Sequence, residues 1–154
     1  MAYQRILVPV DYSECSRAAL RAALEIAQKF GSSIEVVHVW DRPTYVSDVL
    51  MVGGQGHPQK SLVDLIRENA ERDMDEFLAT LELPAGAKVS HRLIAGEPAS
   101  TIVKELQSGN YDLVVISTHG RTGLAHLLLG SVTEKLVRLS PIPVMTVPIG
   151  ERAK

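Results

Sequence analysis

Residues 113–133, LVVISTHGRTGLAHLLLGSVT, join an apolar run, a glycine-rich segment and the start of a helical pattern. The run Leu113–Ile116 predicts a buried strand, and the stretch from Gly120 to Gly130 predicts a loop. A helix N-terminus that follows such a loop presents unpaired backbone N–H groups and the positive end of the helix dipole, and both attract anions. We therefore predict a site for a phosphate-bearing ligand, with a nucleotide as the leading candidate.

Strand and helix patterns alternate over the rest of the chain. Strands are predicted at residues 6–10, 34–40, 88–93, 111–117 and 142–147, and helices begin near residues 13, 61, 98 and 131. This alternation implies right-handed crossovers and a parallel sheet covered by helices on both faces. The prediction is a single α/β domain over residues 1–154, with an open five-stranded Rossmann-like sheet. Pro143, inside the fifth predicted strand, favours an edge position for that strand.

Composition excludes several classes of function. A net charge of -2 and an aromatic content of 5% give neither the basic surface nor the stacking platforms of a nucleic-acid-binding protein. One cysteine cannot form an intramolecular disulfide. No apolar stretch approaches the roughly 20 residues of a membrane-spanning helix, and the N-terminus runs directly into a predicted strand. We expect a cytoplasmic protein that binds neither nucleic acid nor membranes.

The stretch Asp41–Lys60 separates the second strand from the second helix. It is interrupted by five residues that favour turns: Pro43, Gly53, Gly54, Gly56 and Pro58. A connection of this length is uncommon in a compact domain unless it has a function. We predict a mobile loop that is long enough to act as a lid.

Asp11 follows the first predicted strand directly. In open α/β sheets, ligands bind beyond the carboxyl ends of the strands, where the strand order reverses. A carboxylate there can accept hydrogen bonds from ribose hydroxyls or from an adenine amino group. The alternative is a capping role at the next helix, shared with Ser13.

The glycine loop and the residues after it are the candidate phosphate site. Gly120, Gly123 and Gly130 allow the backbone to approach an anion closely. Ser131 and Glu134 match a capping box, a role that can coexist with phosphate binding. His119 and Arg121 either pair with phosphates or are solvated loop residues. The chain contains no Walker A, G-x-G-x-x-G, H-E-x-x-H or G-x-S-x-G motif, so no enzyme class follows from a motif.

These residues match a known pattern, and the chain resembles the universal stress protein family along essentially its full length. Three segments carry the resemblance: Ile6–Asp11, His38–Val39 and Ser117–Val147. The ATP-binding branch of that family has the pattern G-x-x-G-(nine residues)-G-[ST], which Gly120, Gly130 and Ser131 satisfy. The first position of the pattern is a serine here, Ser117. A serine there either crowds the ligand or contributes its hydroxyl to the site.

The resemblance implies a site, a sheet and an assembly. Adenine and ribose would be bordered by Pro9, Val10, Asp11, Val39 and Ile116. The phosphates would be surrounded by Ser117, Gly120, Arg121, Gly130, Ser131, Val132 and Thr133. A magnesium or manganese ion would be held through the phosphates, without protein ligands. The implied strand order is 3-2-1-4-5, and the implied homodimer joins through the fifth strand, Val144–Val147.

Three functional hypotheses follow. The first is a regulatory module of the stress response, in which ATP or AMP orders the 41–60 loop and alters a surface for a protein partner of unknown identity. The second is a slow ATP hydrolase, although the only candidate base near the phosphates is His119. The third is a dimeric interaction protein that has lost nucleotide binding, for which Ser117 is the argument.

Overall fold

The computed structural model describes residues 3–41, 51–53, 60–120 and 129–148. Within these ranges the chain forms seven strands and four helices. Their bounds are β1 (Arg5–Pro9), α1 (Glu14–Phe30), β2 (Ser33–Trp40), β3 (Met51–Val52), β4 (Lys60–Ser61), α2 (Leu62–Ala79), β5 (Lys88–Ala95), α3 (Pro98–Gln107), β6 (Leu113–Ser117), α4 (Ser131–Leu139) and β7 (Val144–Val147). No helix in the described ranges is long and apolar enough to span a membrane.

Five of the strands form one parallel sheet in the order β5-β2-β1-β6-β7. Counted along the chain within this sheet, the order is 3-2-1-4-5, as the resemblance implies. Ile6 in β1 lies between Ile34 of β2 and Leu113 of β6. The strand order reverses between β1 and β6, so the carboxyl ends of these two strands mark the crevice where ligands bind in such sheets.

Helices cover both faces of the sheet, as the alternating pattern predicts. Because successive side chains of a strand point to opposite faces, Ile6 and Val8 pack under α1 and α2, whereas Leu7 packs under α3 and α4. All three side chains are fully buried. The central strands thus have apolar residues on both faces, which explains why they read as continuous apolar runs in the sequence.

Capping residues determine where α1 and α3 begin. The Ser13 side chain accepts a hydrogen bond from Ser16 N at the start of α1, and the helix ends at Gly31 with φ 70°. This confirms both the predicted start and the predicted stop signal. At α3, the Glu97 carboxylate accepts bonds from the first-turn amides, and Pro98 is the first helical residue.

Two predictions about strands are wrong. The stretch Asp41–Lys60 is not wholly loop, because β3 and β4 pair there as a short antiparallel hairpin that leads into α2. Residues 42–50 and 54–59 lie outside the described ranges, so the predicted lid stays a prediction. Pro143 is not inside the fifth strand of the sheet but precedes it, because β7 begins at Val144.

The strand β7 is an edge of the sheet with an alternating bond pattern. Val114 N donates to Pro143 O at 3.1 Å, and Thr118 N donates to Val147 O at 3.0 Å. Backbone groups of alternate residues point to opposite sides of a strand. The N–H and C=O groups of Val144 and Thr146 are therefore directed to the open edge.

Candidate functional site

A cavity of about 270 Å³ lies at the carboxyl ends of β1, β2 and β6, beside the N-termini of α3 and α4. Its position agrees with the crevice that the strand order defines. Eleven of the twelve residues selected from the sequence line it: Pro9, Val10, Asp11, Val39, Ile116, Ser117, Gly120, Gly130, Ser131, Val132 and Thr133. The twelfth, Arg121, lies outside the described residues.

One wall of the cavity is apolar. It is formed by Val37, Val39, Pro98, Ile102, Ile116 and Val132. Val37 and Ile102 belong to the buried apolar cluster between the sheet and α3, so this wall is the edge of the hydrophobic core. A flat apolar group of a ligand can displace water from this wall without desolvating polar groups of the chain.

Asp11 lies at the end of β1, and Ser13 holds its carboxylate. Oδ1 accepts hydrogen bonds from Ser13 N at 3.0 Å and from Ser13 Oγ at 2.5 Å. Ser13 itself is the N-cap of α1, so the structure agrees with a capping role to which both residues contribute. Binding of a ribose or an adenine by Asp11 stays a prediction. The other oxygen, Oδ2, lies on the side of Gly120.

Tyr12 connects this turn to α2. It is the one non-glycine residue with a positive φ in the described part of the chain, at 66°. Its ring stacks on His38 at 4.2 Å between centroids and packs against Phe77, and its hydroxyl donates to Ala70 O at 3.0 Å. A bulky residue in the left-handed region is strained, so contacts of this kind are needed to hold it.

His38 was not selected from the sequence as a site residue, yet it lines the cavity. Its Nδ1 lies 2.8 Å from the Val10 carbonyl oxygen. Because a carbonyl oxygen only accepts, Nδ1 carries a proton and donates to it. The imidazole therefore ties the end of β2 to the end of β1, directly under the turn that carries Asp11.

Three successive carbonyl groups at the end of β6 are each bonded within the chain. Ser117 O accepts from Thr133 Oγ1 at 2.8 Å, and Thr118 O accepts from Gly130 N at 2.7 Å. His119 O accepts from Ser117 Oγ at 2.8 Å. Residues 117–119 are thus hydrogen-bonded to the start of α4 and to one another.

The glycines at either end of the loop are in tight surroundings. A Cβ added at Gly120 would lie 2.8 Å from Asp11 Oδ2, closer than real side chains pack. A Cβ at Gly130 would lie 3.4 Å from Thr118 O and 3.9 Å from Gly120 N. The two ends of the loop therefore lie close together, and the absence of a side chain at Gly120 allows the close approach of Asp11.

The helix α4 begins differently from the prediction. Its N-cap is Gly130, which makes no side-chain cap bond, and Ser131 is the first helical residue. The predicted capping box of Ser131 and Glu134 is therefore wrong, because a cap residue must precede the helix and a helical residue cannot fill that position. Glu134 instead lies 3.6 Å from Arg138, one turn further along α4. The Ser131 hydroxyl lines the cavity.

Besides His38, four lining residues were missed: Ser16, Val37, Pro98 and Ile102. A signal for Pro98 was present, because a proline that opens a helix after the third strand of the sheet must lie at the carboxyl edge. That Val37 and Ile102 line the cavity depends on how the sheet and α3 pack, which the sequence does not indicate. His119, for which two roles were considered, lines the cavity with Nδ1 2.9 Å from Thr118 Oγ1.

The described residues that line the cavity carry few ionisable side chains. Asp11 is the only carboxylate among its described lining residues, and His38 and His119 are the only imidazoles. Just outside, the hydrogen bond from Ser100 N to Glu97 holds the pKa of that carboxyl below its usual value. No group of three metal-ligating side chains occurs within the described ranges.

The family model and the relatives that match this chain indicate the same family. The chain matches the model of the universal stress protein family over residues 2–148. It is 31% identical over 148 residues to the universal stress protein MJ0531 of Methanocaldococcus jannaschii, covering 94% of this chain and 82% of that protein. It is 30% identical over 154 residues to MJ0577 of the same organism, covering 94% of each.

Solved structures agree with the sequence matches. The structure of MJ0577 superposes with a TM-score of 0.76 at 26% identity, covering 97% of this chain and 99% of that one. A universal stress protein from Archaeoglobus fulgidus, solved in complex with dAMP, has a TM-score of 0.61 at 23% identity. That alignment covers 95% of this chain and 98% of that one, and it shows a shared fold.

Proposed function

The chain belongs to the universal stress protein family, and we propose that it binds an adenine nucleotide, ATP or AMP, in the cavity at the carboxyl ends of β1 and β6. One observation carries the proposal: an apolar wall and a glycine-lined helix N-terminus meet in a single cavity. The wall suits a purine base, and the start of α4 suits phosphate groups.

The two parts of the ligand are assigned to opposite sides of the cavity. The base and ribose are assigned to Pro9, Val10, Asp11, Val39 and Ile116. The phosphates are assigned to Ser117, Gly120, Arg121, Gly130, Ser131, Val132 and Thr133. Asp11 suits the ribose, because an ionised carboxylate accepts hydrogen bonds from hydroxyl groups. Its position is supported by the bonds that Ser13 donates to it.

The spacing of Gly120, Gly130 and Ser131 supports membership in the ATP-binding branch of the family. The relative from Archaeoglobus fulgidus was solved with dAMP, but its 23% identity supports the fold alone. For this chain, the proposal therefore rests on its own cavity. Magnesium or manganese would be held through the phosphates.

We assign the protein a regulatory role in the stress response rather than a catalytic one. Asp11 is the one carboxylate lining the described part of the cavity, and it is assigned to the ribose rather than to the γ-phosphate, so it is poorly placed to act as a general base for hydrolysis. Slow ATP hydrolysis remains the alternative and requires His119. Nucleotide binding would order the 41–60 loop and change a surface for a protein partner in the cytoplasm.

The homodimer is proposed to form through β7. Its outward backbone groups at Val144 and Thr146 are able to pair with a second copy, and Met145 is 40% exposed beside them. Exposed edge strands readily pair with other strands unless charge or proline prevents it. A dimer that forms without nucleotide but never binds one would favour the interaction-protein alternative.

Calorimetric titration of nucleotide-stripped protein tests the proposed function. ATP, AMP and GTP are titrated with and without magnesium, and we expect micromolar binding of the adenine nucleotides and much weaker binding of GTP. Gly130→Val is the matched negative variant, because its side chain starts from a Cβ 3.4 Å from Thr118 O and 3.9 Å from Gly120 N, at the loop to which the phosphates are assigned. Equal affinity for GTP, or unchanged affinity in Gly130→Val, would contradict the proposed site.

A further inference from the structure

The Ser117 hydroxyl is placed to control one peptide group of the glycine loop. Ser117 is 5% exposed at the end of β6 and lines the cavity. Its Oγ does not point into open space but donates to His119 O, two residues ahead, at 2.8 Å. The hydroxyl is therefore already committed to the backbone that begins the loop.

Because the peptide group is planar, this hydrogen bond orients more than the carbonyl that accepts it. In a trans peptide, the carbonyl of one residue and the N–H of the next point in opposite directions. Holding the His119 carbonyl therefore also fixes the direction of the Gly120 N–H. The Gly120 nitrogen lies 3.9 Å from the position that a Cβ on Gly130 would occupy, so this peptide lies where the two ends of the loop come close together.

The neighbouring carbonyls show why the third one needs a donor. Thr133 Oγ1 and Gly130 N satisfy the carbonyls of Ser117 and Thr118. The Ser117 hydroxyl does the same for the carbonyl of His119. A carbonyl that turned toward an anion would repel it, because its oxygen carries a partial negative charge and has no proton to donate.

We propose that Ser117 is a positioning residue for the phosphate side of the nucleotide site, which rests on the proposed function. Its hydroxyl holds the peptide between His119 and Gly120 so that the carbonyl stays bonded to the chain and does not face the phosphates. A glycine at this position lacks the hydroxyl, so this hydrogen bond to the peptide is lost. The serine thus strengthens phosphate binding, and it does not crowd the ligand.

The test separates phosphate binding from binding of the nucleoside. Affinities for ATP, AMP and adenosine are measured by calorimetry for the wild-type protein, Ser117→Ala and Ser117→Gly. We expect both variants to bind ATP and AMP about tenfold more weakly, the effect of one hydrogen bond, with adenosine affinity changed less than about twofold. A role in folding alone would instead lower the affinity for all three ligands by the same factor.

Ser32→Ala is the matched control. The Ser32 hydroxyl is also buried and also donates to a backbone carbonyl, that of Tyr3, but it lies at the opposite end of the sheet. We expect this variant to lose thermal stability with unchanged affinity for all three ligands. It therefore measures the effect of deleting a buried hydroxyl away from the loop.

A second pair of variants covers the case in which Ser117→Ala does not fold. Ser117→Thr keeps the hydroxyl, whereas Ser117→Val has the same shape without it, and we expect ATP affinity to be retained only in the threonine variant. The proposal is overturned if Ser117→Gly binds ATP as tightly as the wild type or tighter, or if adenosine and ATP lose the same factor. Failure of the wild-type protein to bind any adenine nucleotide overturns the proposed function itself.

Discussion

Gly120→Ala tests the contact between the glycine loop and Asp11. The new methyl carbon would lie 2.8 Å from Asp11 Oδ2, whereas non-bonded heavy atoms pack at about 3.5 Å or more. The carboxylate must turn away, and its Oδ1 then loses the two hydrogen bonds that Ser13 donates. At about 1.5 kcal/mol for each bond to a charged group, the loss is about 3 kcal/mol.

A compensating effect reduces the measured value. Replacing glycine by alanine lowers the conformational entropy of the unfolded chain, which stabilises the protein by about 0.4–1 kcal/mol. The free energy of unfolding should therefore fall by about 2 kcal/mol in Gly120→Ala. Urea denaturation followed by circular dichroism measures it, without any need for nucleotide.

A double-mutant cycle shows whether the loss acts through Asp11. In an Asp11→Ala background the clash is absent, so Gly120→Ala should be neutral or slightly stabilising. Gly86→Ala is the control: its φ is 79° and no atom lies within 4 Å of the new Cβ, so it should cost about 1–2 kcal/mol of backbone strain in either background. The same destabilisation by Gly120→Ala in both backgrounds would refute the reasoning.

Two further predictions concern the edge of the sheet and the cap of α3. Val144→Pro removes an N–H that points to the open edge of β7, so light scattering should show a monomer. The control variant Val144→Ala keeps this N–H and should stay dimeric. A proline variant that stays dimeric would mean that the interface lies elsewhere. The pKa of Glu97 is lowered from 4.5 by its bond from Ser100 N, so its carboxylate stabilises the fold above that pH. Glu97→Gln should therefore lower the urea midpoint near neutral pH, and the difference from wild type should shrink as the pH falls below 4.5. A pH-independent difference would exclude the carboxylate charge as the cause.

The sheet and most of the cavity could be predicted because they depend on local patterns. The apolar run Leu113–Ile116 needs two covered faces, and Gly31 marks the end of α1 by a conformation that glycine adopts easily. The carboxyl ends of β1 and β6 then meet by topology alone. The proximity of Asp11, Gly120 and Gly130 is therefore predictable from the sequence.

Other features depend on contacts that leave no sequence signal. Ser131 fits a capping box by spacing, but the backbone at Gly130 is extended, with φ -67° and ψ 154°, and takes the cap position one residue earlier. The hairpin of β3 and β4 has two residues in each strand, too few for an alternating pattern. Whether the Ser117 hydroxyl crowds the ligand or bonds the chain depends on its rotamer, which no neighbour in sequence determines.

The strained conformation of Tyr12 has a consequence for how the cavity responds to damage elsewhere. A backbone held in the left-handed region stores about 1–3 kcal/mol, and the contacts with His38, Phe77 and Ala70 O keep it there. Two of these contacts belong to α2, so loosening that helix releases the turn that orients Asp11. By reciprocity, a ligand that holds Asp11 makes α2 harder to melt. A substitution that loosens α2 should therefore weaken ligand binding, although no described residue of that helix lines the cavity.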